Sequence, residues 1–208
     1  MTVPFIIYAL PRSRTAWVSQ FLSYRDWECY HESAMFMRSV DDVRAFFTSD
    51  KVGCSETAAA QGRHLIRAIA PDIKEVVILR PVDEVVDSLL SIDLSGVATY
   101  DKDILRRNME YGDRELRKIA KDSNVLVIDY ADLDKKEVCK LLFEHCLPYK
   151  FDNEWWESLK DKNIQVDVKA CFMYYHKHRE AIENFKRSCK DELRKLVKIG
   201  EIKRMKYA

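Results

Sequence analysis

The feature that most constrains this chain is a rhythm. Short apolar runs alternate with helical patterns through the first two-thirds of the sequence. Residues 3–10 (VPFIIYAL), 75–79 (EVVIL) and 124–129 (NVLVID) are continuous apolar runs rather than period-two alternations. A strand reads that way when both faces of its sheet are covered, which is the habit of parallel sheets. Helical patterns fall between them, at residues 15–22, 58–70 and 83–91 and in a long amphipathic stretch ending near Ala120. Residues 27–31 and 51–54 are two further short strand candidates. The expectation is an α/β fold with a central parallel sheet flanked by helices. From about Asp152 the pattern is helical, with aromatic clusters at Trp155–Trp156 and at residues 172–175 before a basic tail. No Pro/Gly/Ser linker or internal repeat interrupts the 208 residues. They read as a single domain, with residues 1–150 the α/β core and 151–208 a C-terminal helical layer.

Composition excludes several classes. Lys and Arg number 35 against 34 Asp and Glu, a net charge of +1, so a generally basic nucleic-acid coat is excluded and no nucleic-acid partner is expected. With 47% hydrophobic and 33% charged residues, wholesale disorder is excluded too. The longest apolar stretch, residues 3–10, is too short to span a bilayer, and no secretory signal pattern opens the chain, so it reads as cytoplasmic. The six cysteines are scattered without a C-x-x-C pair and read as reduced thiols, mostly small buried hydrophobes. Cys139, His145 and Cys146 are close in sequence, but Cys139, Leu142, Phe143 and Cys146 form a helical apolar stripe, and no metal site is assigned there. The basic tail from Lys186 reads as a solvated helix, with docking to an anionic partner as the alternative.

In an open parallel sheet, ligands bind beyond the carboxyl ends of the strands. After the first strand comes Pro11-Arg12-Ser13-Arg14-Thr15, then a helix. Such a turn gathers backbone N–H groups, a hydroxyl and two guanidinium groups at a positive helix end, which suits a phosphate or sulfate. The plainer alternative makes Ser13 or Thr15 a helix cap and leaves the arginines solvated. This is not a Walker A loop: none of the chain's five glycines falls between Leu10 and Thr15, which counts against an ATP-dependent kinase. After residues 75–79 comes Arg80-Pro81, and eight residues past the arginine stands Ser88. An arginine at a strand end and a hydroxyl two turns along the next helix suit a second phosphate, or else are ordinary structural and surface residues.

Taken together, these segments resemble the sulfotransferases. LPRSRTAWVSQFL is similar to that family's 5′-phosphosulfate-binding loop, and VVILRPVDEVVDSLL to its 3′-phosphate-binding motif. VLVIDYADL resembles the family's later strand ending in Tyr-Glu-Asp-Leu. The resemblance implies a P-loop-containing nucleoside triphosphate hydrolase-like fold and a metal-independent enzyme. Its donor would be 3′-phosphoadenosine 5′-phosphosulfate, its product 3′-phosphoadenosine 5′-phosphate, and its acceptor a hydroxyl or amine on a small molecule or glycan. On that reading Arg12 sits beside the leaving oxygen, Ser13, Arg14 and Thr15 hold the phosphosulfate, and Arg80 and Ser88 grip the 3′-phosphate. Trp17 either stacks on adenine or is plain core beside Val18, Phe21 and Leu22. Arg14 stands where the family usually has Gly, Ala16 replaces a second Thr, and the family's C-terminal Arg-Lys-Gly-x-x-Gly segment is not visible.

Sulfuryl transfer needs a base on the acceptor. The candidates follow the second strand, Glu32 by resemblance to carboxylate-using members and His31 beside it. Strand alternation sets them on opposite faces and does not choose between them. Ser55-Glu56-Thr57 follows the third strand, either touching substrate or capping a helix. The aromatic clusters at Trp155–Trp156 and residues 172–178 wall an acceptor pocket or fill the core. His176 and His178 are two apart, a spacing that does not bring them together on a helix. The rival readings are a non-catalytic nucleotide-binding protein on the same fold and a P-loop kinase.

Overall fold

In the computed structural model, which describes residues 2–94 and 101–198, five parallel strands form one sheet. They are β1 (Phe5–Ala9), β2 (Glu28–His31), β3 (Val52–Glu56), β4 (Lys74–Leu79) and β5 (Val125–Asp129), in the order β2-β3-β1-β4-β5. Registers are direct, with Ile7 opposite both Ser55 and Val76. The fold class expected from the apolar runs is the one observed.

All five residues of β1 are buried because the sheet is covered on both sides. Phe5, Ile7 and Ala9 face a layer made by α1 (Thr15–Leu22), α6 (Lys136–Cys146) and α7 (Asn153–Leu159). Ile6, Tyr8 and Leu10 face α2 (Val40–Thr48), α3 (Arg63–Ile69), α4 (Val82–Leu90) and α5 (Lys102–Ile119). Of the last two helices, α8 (Val168–Lys177) and α9 (Arg179–Lys198), the second packs against α2 and α3 and adds Phe185 to that core. Residues 58–70, expected as one helix, are split into a 3-10 turn (Ala59–Gly62) and α3. The basic tail falls only partly within the described residues.

Gly53 of β3 pairs with Phe5, and a Cβ there would lie 2.1 Å from the Phe5 ring, so glycine is what lets that ring lie flat on the neighbouring strand. Away from the cavity described below, Arg63 makes two bonds to the Glu75 carboxylate (2.8 and 2.7 Å) and one to Asp122 (2.6 Å). The Tyr8 hydroxyl donates to Glu75 as well (3.2 Å), and this buried network ties α3 to β4 and to the turn before β5. Cys29, Cys54, Cys139 and Cys146 are buried free thiols, as expected of small hydrophobes. Among the described residues no helix is long and apolar enough to cross a membrane.

Candidate anion-binding and acceptor site

The chain leaves β1 to build β2 and β3 on one side of it, then crosses over to β4 on the other. The crevice at that reversal is where an open α/β sheet takes its ligand. All five carboxyl ends meet there in a cavity of about 660 Å³. β1 contributes Arg12, Arg14 and Thr15, β2 His31 and Glu32, and β3 Thr57. Arg80 comes from the end of β4, Ser88 from α4 and Tyr130 from the end of β5. The facing wall is residues 162–166 and α8, with Cys171, Phe172 and Tyr175.

The loop after β1 has two left-handed residues, Arg12 (φ 63°) and Arg14 (φ 58°). A side chain in that region costs about 1–2 kcal/mol, which is why such loops normally carry glycine. Tertiary contacts hold the strain. Arg80 donates to the Arg12 carbonyl, and Arg12 Nε donates to Ser88 Oγ at 3.1 Å. Arg14 donates to the Lys160 carbonyl at 3.3 Å and lies 4.5 Å over the Trp17 ring. Two motifs separated by some seventy residues are therefore one hydrogen-bonded unit. The second Arg12 nitrogen, Nη1, donates to Gln165 Oε1 at 2.6 Å.

Neither Ser13 nor Thr15 caps α1. The N-cap position is Arg14 and makes no side-chain capping bond, so no side chain competes for the helix's N-terminal N–H groups. Ser13 is fully buried, does not line the cavity, and its hydroxyl has no partner among the described residues. Trp17 is 1% exposed; its indole N–H donates to the Leu159 carbonyl at 2.8 Å and its ring stacks on Phe21 at 5.0 Å. Trp17 packs in the core by these contacts and lines the cavity as well. Arg80 lies 4.0 Å over the Tyr130 ring.

His31 and Glu32 both line the cavity although strand alternation would oppose them, because Glu32 leaves the strand in a left-handed conformation (φ 54°). Thr15 Oγ1 and His31 Nε2 are hydrogen-bonded at 2.9 Å, which ties the anion loop to β2. Burial pushes the His31 pKa down to about 4, so the imidazole is neutral at pH 7. Burial pushes Glu32 up, partly offset by the bond its Oε1 accepts from the Thr57 N–H (3.1 Å).

Sequence reasoning names Glu56 only within Ser55-Glu56-Thr57 and gives no separate role to it, to Gln165 or to Tyr130. Glu56 is 2% exposed, and burial together with the nearby Glu32 charge raises its pKa to about 8. Gln165 and its neighbours had no motif to mark them, since their role depends on a tertiary approach to Arg12. Tyr130 was legible only as part of a strand-end pattern. Of the aromatic clusters, Trp155 and Trp156 pack in the core, whereas Phe172 and Tyr175 line the cavity. Ser55 caps no helix; its hydroxyl donates to the Thr15 carbonyl at 2.8 Å.

No protein-family model matches the chain, and no curated protein matches its sequence. Among solved structures it is similar to mouse sulfotransferase SULT7A1 complexed with PAP. The TM-score is 0.56 at 13% identity, over 94% of this chain and 88% of that one. What the two share is the fold, a helix-flanked parallel sheet of the P-loop-like kind found in sulfotransferases.

Proposed function

We propose that the protein is a sulfotransferase that moves the sulfuryl group of 3′-phosphoadenosine 5′-phosphosulfate to a hydroxyl or amine of a small-molecule or glycan acceptor. The observation that carries this reading is the joining of two anion motifs into one clamp, Arg12 to Ser88 and Arg80 to the Arg12 carbonyl. A single phosphate needs one such motif; a ligand with phosphates at both ends of a nucleoside needs two at a fixed separation. The fold shared with a sulfotransferase complexed with PAP supports the choice of ligand. The cavity's size, about 660 Å³, suits a nucleotide with an acceptor beside it.

The donor supplies an activated sulfuryl group whose transfer leaves negative charge on the 5′-phosphate. Arg12 and the start of α1 hold that charge, with the cations preorganised in a partly buried site. Arg80 and Ser88 hold the 3′-phosphate. Trp17 acts through Arg14, whose guanidinium rests on the indole and meets the base in its place. Glu32 takes the acceptor's proton. His31 is the poorer base, because burial has lowered its basicity and its Nε2 is engaged with Thr15, whereas burial has raised that of Glu32. His31 instead orients Thr15.

Arg80→Ala tests the clamp. Losing a charge-assisted contact to the 3′-phosphate is worth about 1.5–3 kcal/mol, or roughly 10- to 100-fold in affinity. The variant should lose that much more for 3′-phosphoadenosine 5′-phosphate than for AMP, which feels only the lost bond to the Arg12 carbonyl. An equal loss for both refutes the assignment.

A further inference from the structure

We propose that Glu56, which never reaches the cavity, governs Glu32: the two carboxyls act as a pair holding one proton at neutral pH, with the proton on Glu56 and the charge on Glu32. This rests on Glu32 being the base of the proposed reaction and makes Glu56 a positioning residue.

The two side chains form a reciprocal latch between the ends of β2 and β3. Glu32 Oε1 accepts from the backbone N–H of Thr57, the residue after Glu56. Glu56 Oε1 accepts from the Ser33 hydroxyl (2.5 Å) and the Ala34 N–H (3.2 Å), the two residues after Glu32. Each carboxyl thus anchors the backbone that presents the other. The bonds from Ser33 and Ala34 pin the 3-10 turn (Ser33–Met35) and with it the left-handed Glu32, aiming its carboxyl into the cavity.

The same contacts decide where the proton resides. Glu56 is 2% exposed and its Oε2 has no hydrogen-bond partner among the described residues. An ionised Glu56 would leave that oxygen bare in an apolar surrounding, while a protonated one does not. Glu32 lines the cavity and its side chain is 16% exposed, so it carries charge at lower cost. Two neighbouring carboxyls in one buried region do not both ionise readily. The cations that line the cavity with Glu32 are Arg12, Arg14, Arg80 and Lys162, and they favour an anion there rather than on Glu56. The thiols and the imidazole against the pair are uncharged at neutral pH. Burial raises the thiols of Cys29 and Cys54, which face Glu56, and that of Cys171 on α8, which faces Glu32. His31, 3.9 Å from Glu32, is held neutral. The carboxyls therefore set each other's charge. With the pair's proton held on Glu56, Glu32 stays anionic at pH 7 despite its own burial.

The test is a 13C NMR titration of the full chain labelled at glutamate side-chain carboxyls. Wild type should show one glutamate titrating near pH 8. Glu56→Gln should remove that resonance. Glu32→Gln should keep it but lower its midpoint by about one pH unit or more, because the repelling charge is gone. No glutamate titrating above pH 7 in wild type, or an unmoved midpoint in Glu32→Gln, overturns the pair. The same samples are titrated with 3′-phosphoadenosine 5′-phosphate. Nucleotide binding without the high-pH carboxyl refutes the pair alone, and the high-pH carboxyl without nucleotide binding supports the pair and refutes the sulfotransferase reading.

Discussion

His31→Gln separates the two base candidates through stability. The folded protein holds His31 at a pKa of about 4, against an ordinary value of 6.5. At about 1.4 kcal/mol per pKa unit, keeping the imidazole neutral contributes nothing to pH dependence above pH 6.5 and destabilises the fold progressively as pH falls toward 4. At pH 4.5 the loss is about 2.5 kcal/mol. Glutamine keeps an acceptor for the Thr15 hydroxyl and does not titrate. Urea unfolding followed by circular dichroism at pH 7 and pH 4.5 should therefore show wild type losing about 2.5 kcal/mol more than the variant over that interval. The comparison cancels the other titrating groups, including the carboxyls whose shifts run in the opposite direction. Parallel losses in the two proteins would mean that His31 is not held neutral by burial. The ground for preferring Glu32 as the base would then be gone.

Gln165→Ala frees Arg12 Nη1 from a neutral partner, and one net hydrogen bond of about 1 kcal/mol should make 3′-phosphoadenosine 5′-phosphate bind roughly fivefold tighter by calorimetry. Weaker binding would instead make Gln165 part of the nucleotide's own contacts. Arg63→Met leaves the buried Glu75 carboxylate with the Tyr8 hydroxyl and, as its remaining cation, Arg67 at 3.7 Å, and should cost about 3 kcal/mol in urea unfolding. Adding Glu75→Leu should recover much of it, and a single-variant loss below about 1 kcal/mol would refute the network's role. Glu56→Gln should gain on wild type as pH rises from 4.5 toward 8, since only wild type must keep a carboxyl protonated through that range; a constant difference would contradict a Glu56 pKa near 8.

The sheet was legible because β1 and β4 are short apolar runs buried on both faces, as a doubly covered sheet requires, and β5 at the edge reads the same way although Val127 is 40% exposed. The second helix, α2, lies outside the apolar rhythm but carries a signal of its own. Ser39 and Asp42 form a capping box ahead of Val43 and Phe47, the helix's buried face. The clamp residues could be named because each follows a strand. Their mutual contacts could not, since Arg12 meets Ser88 and Gln165 only after the sheet closes. Trp17 shows the limit of motif reading: its indole N–H is held by the Leu159 carbonyl, far outside the motif. Glu56 is legible only as a member of Ser55-Glu56-Thr57, for a related reason. Its importance lies in an unpartnered oxygen and a neighbouring carboxyl from another strand, which no spacing along the chain reveals.

The most direct test of the sulfotransferase reading is a calorimetric titration of the wild-type protein. The ligands are 3′-phosphoadenosine 5′-phosphate, AMP and ATP, each with and without Mg²⁺. The clamp built from Arg12, Arg80 and Ser88 calls for metal-independent micromolar binding of the bisphosphate, with AMP far weaker. Preference for ATP with Mg²⁺, or equal binding of AMP and the bisphosphate, would contradict it.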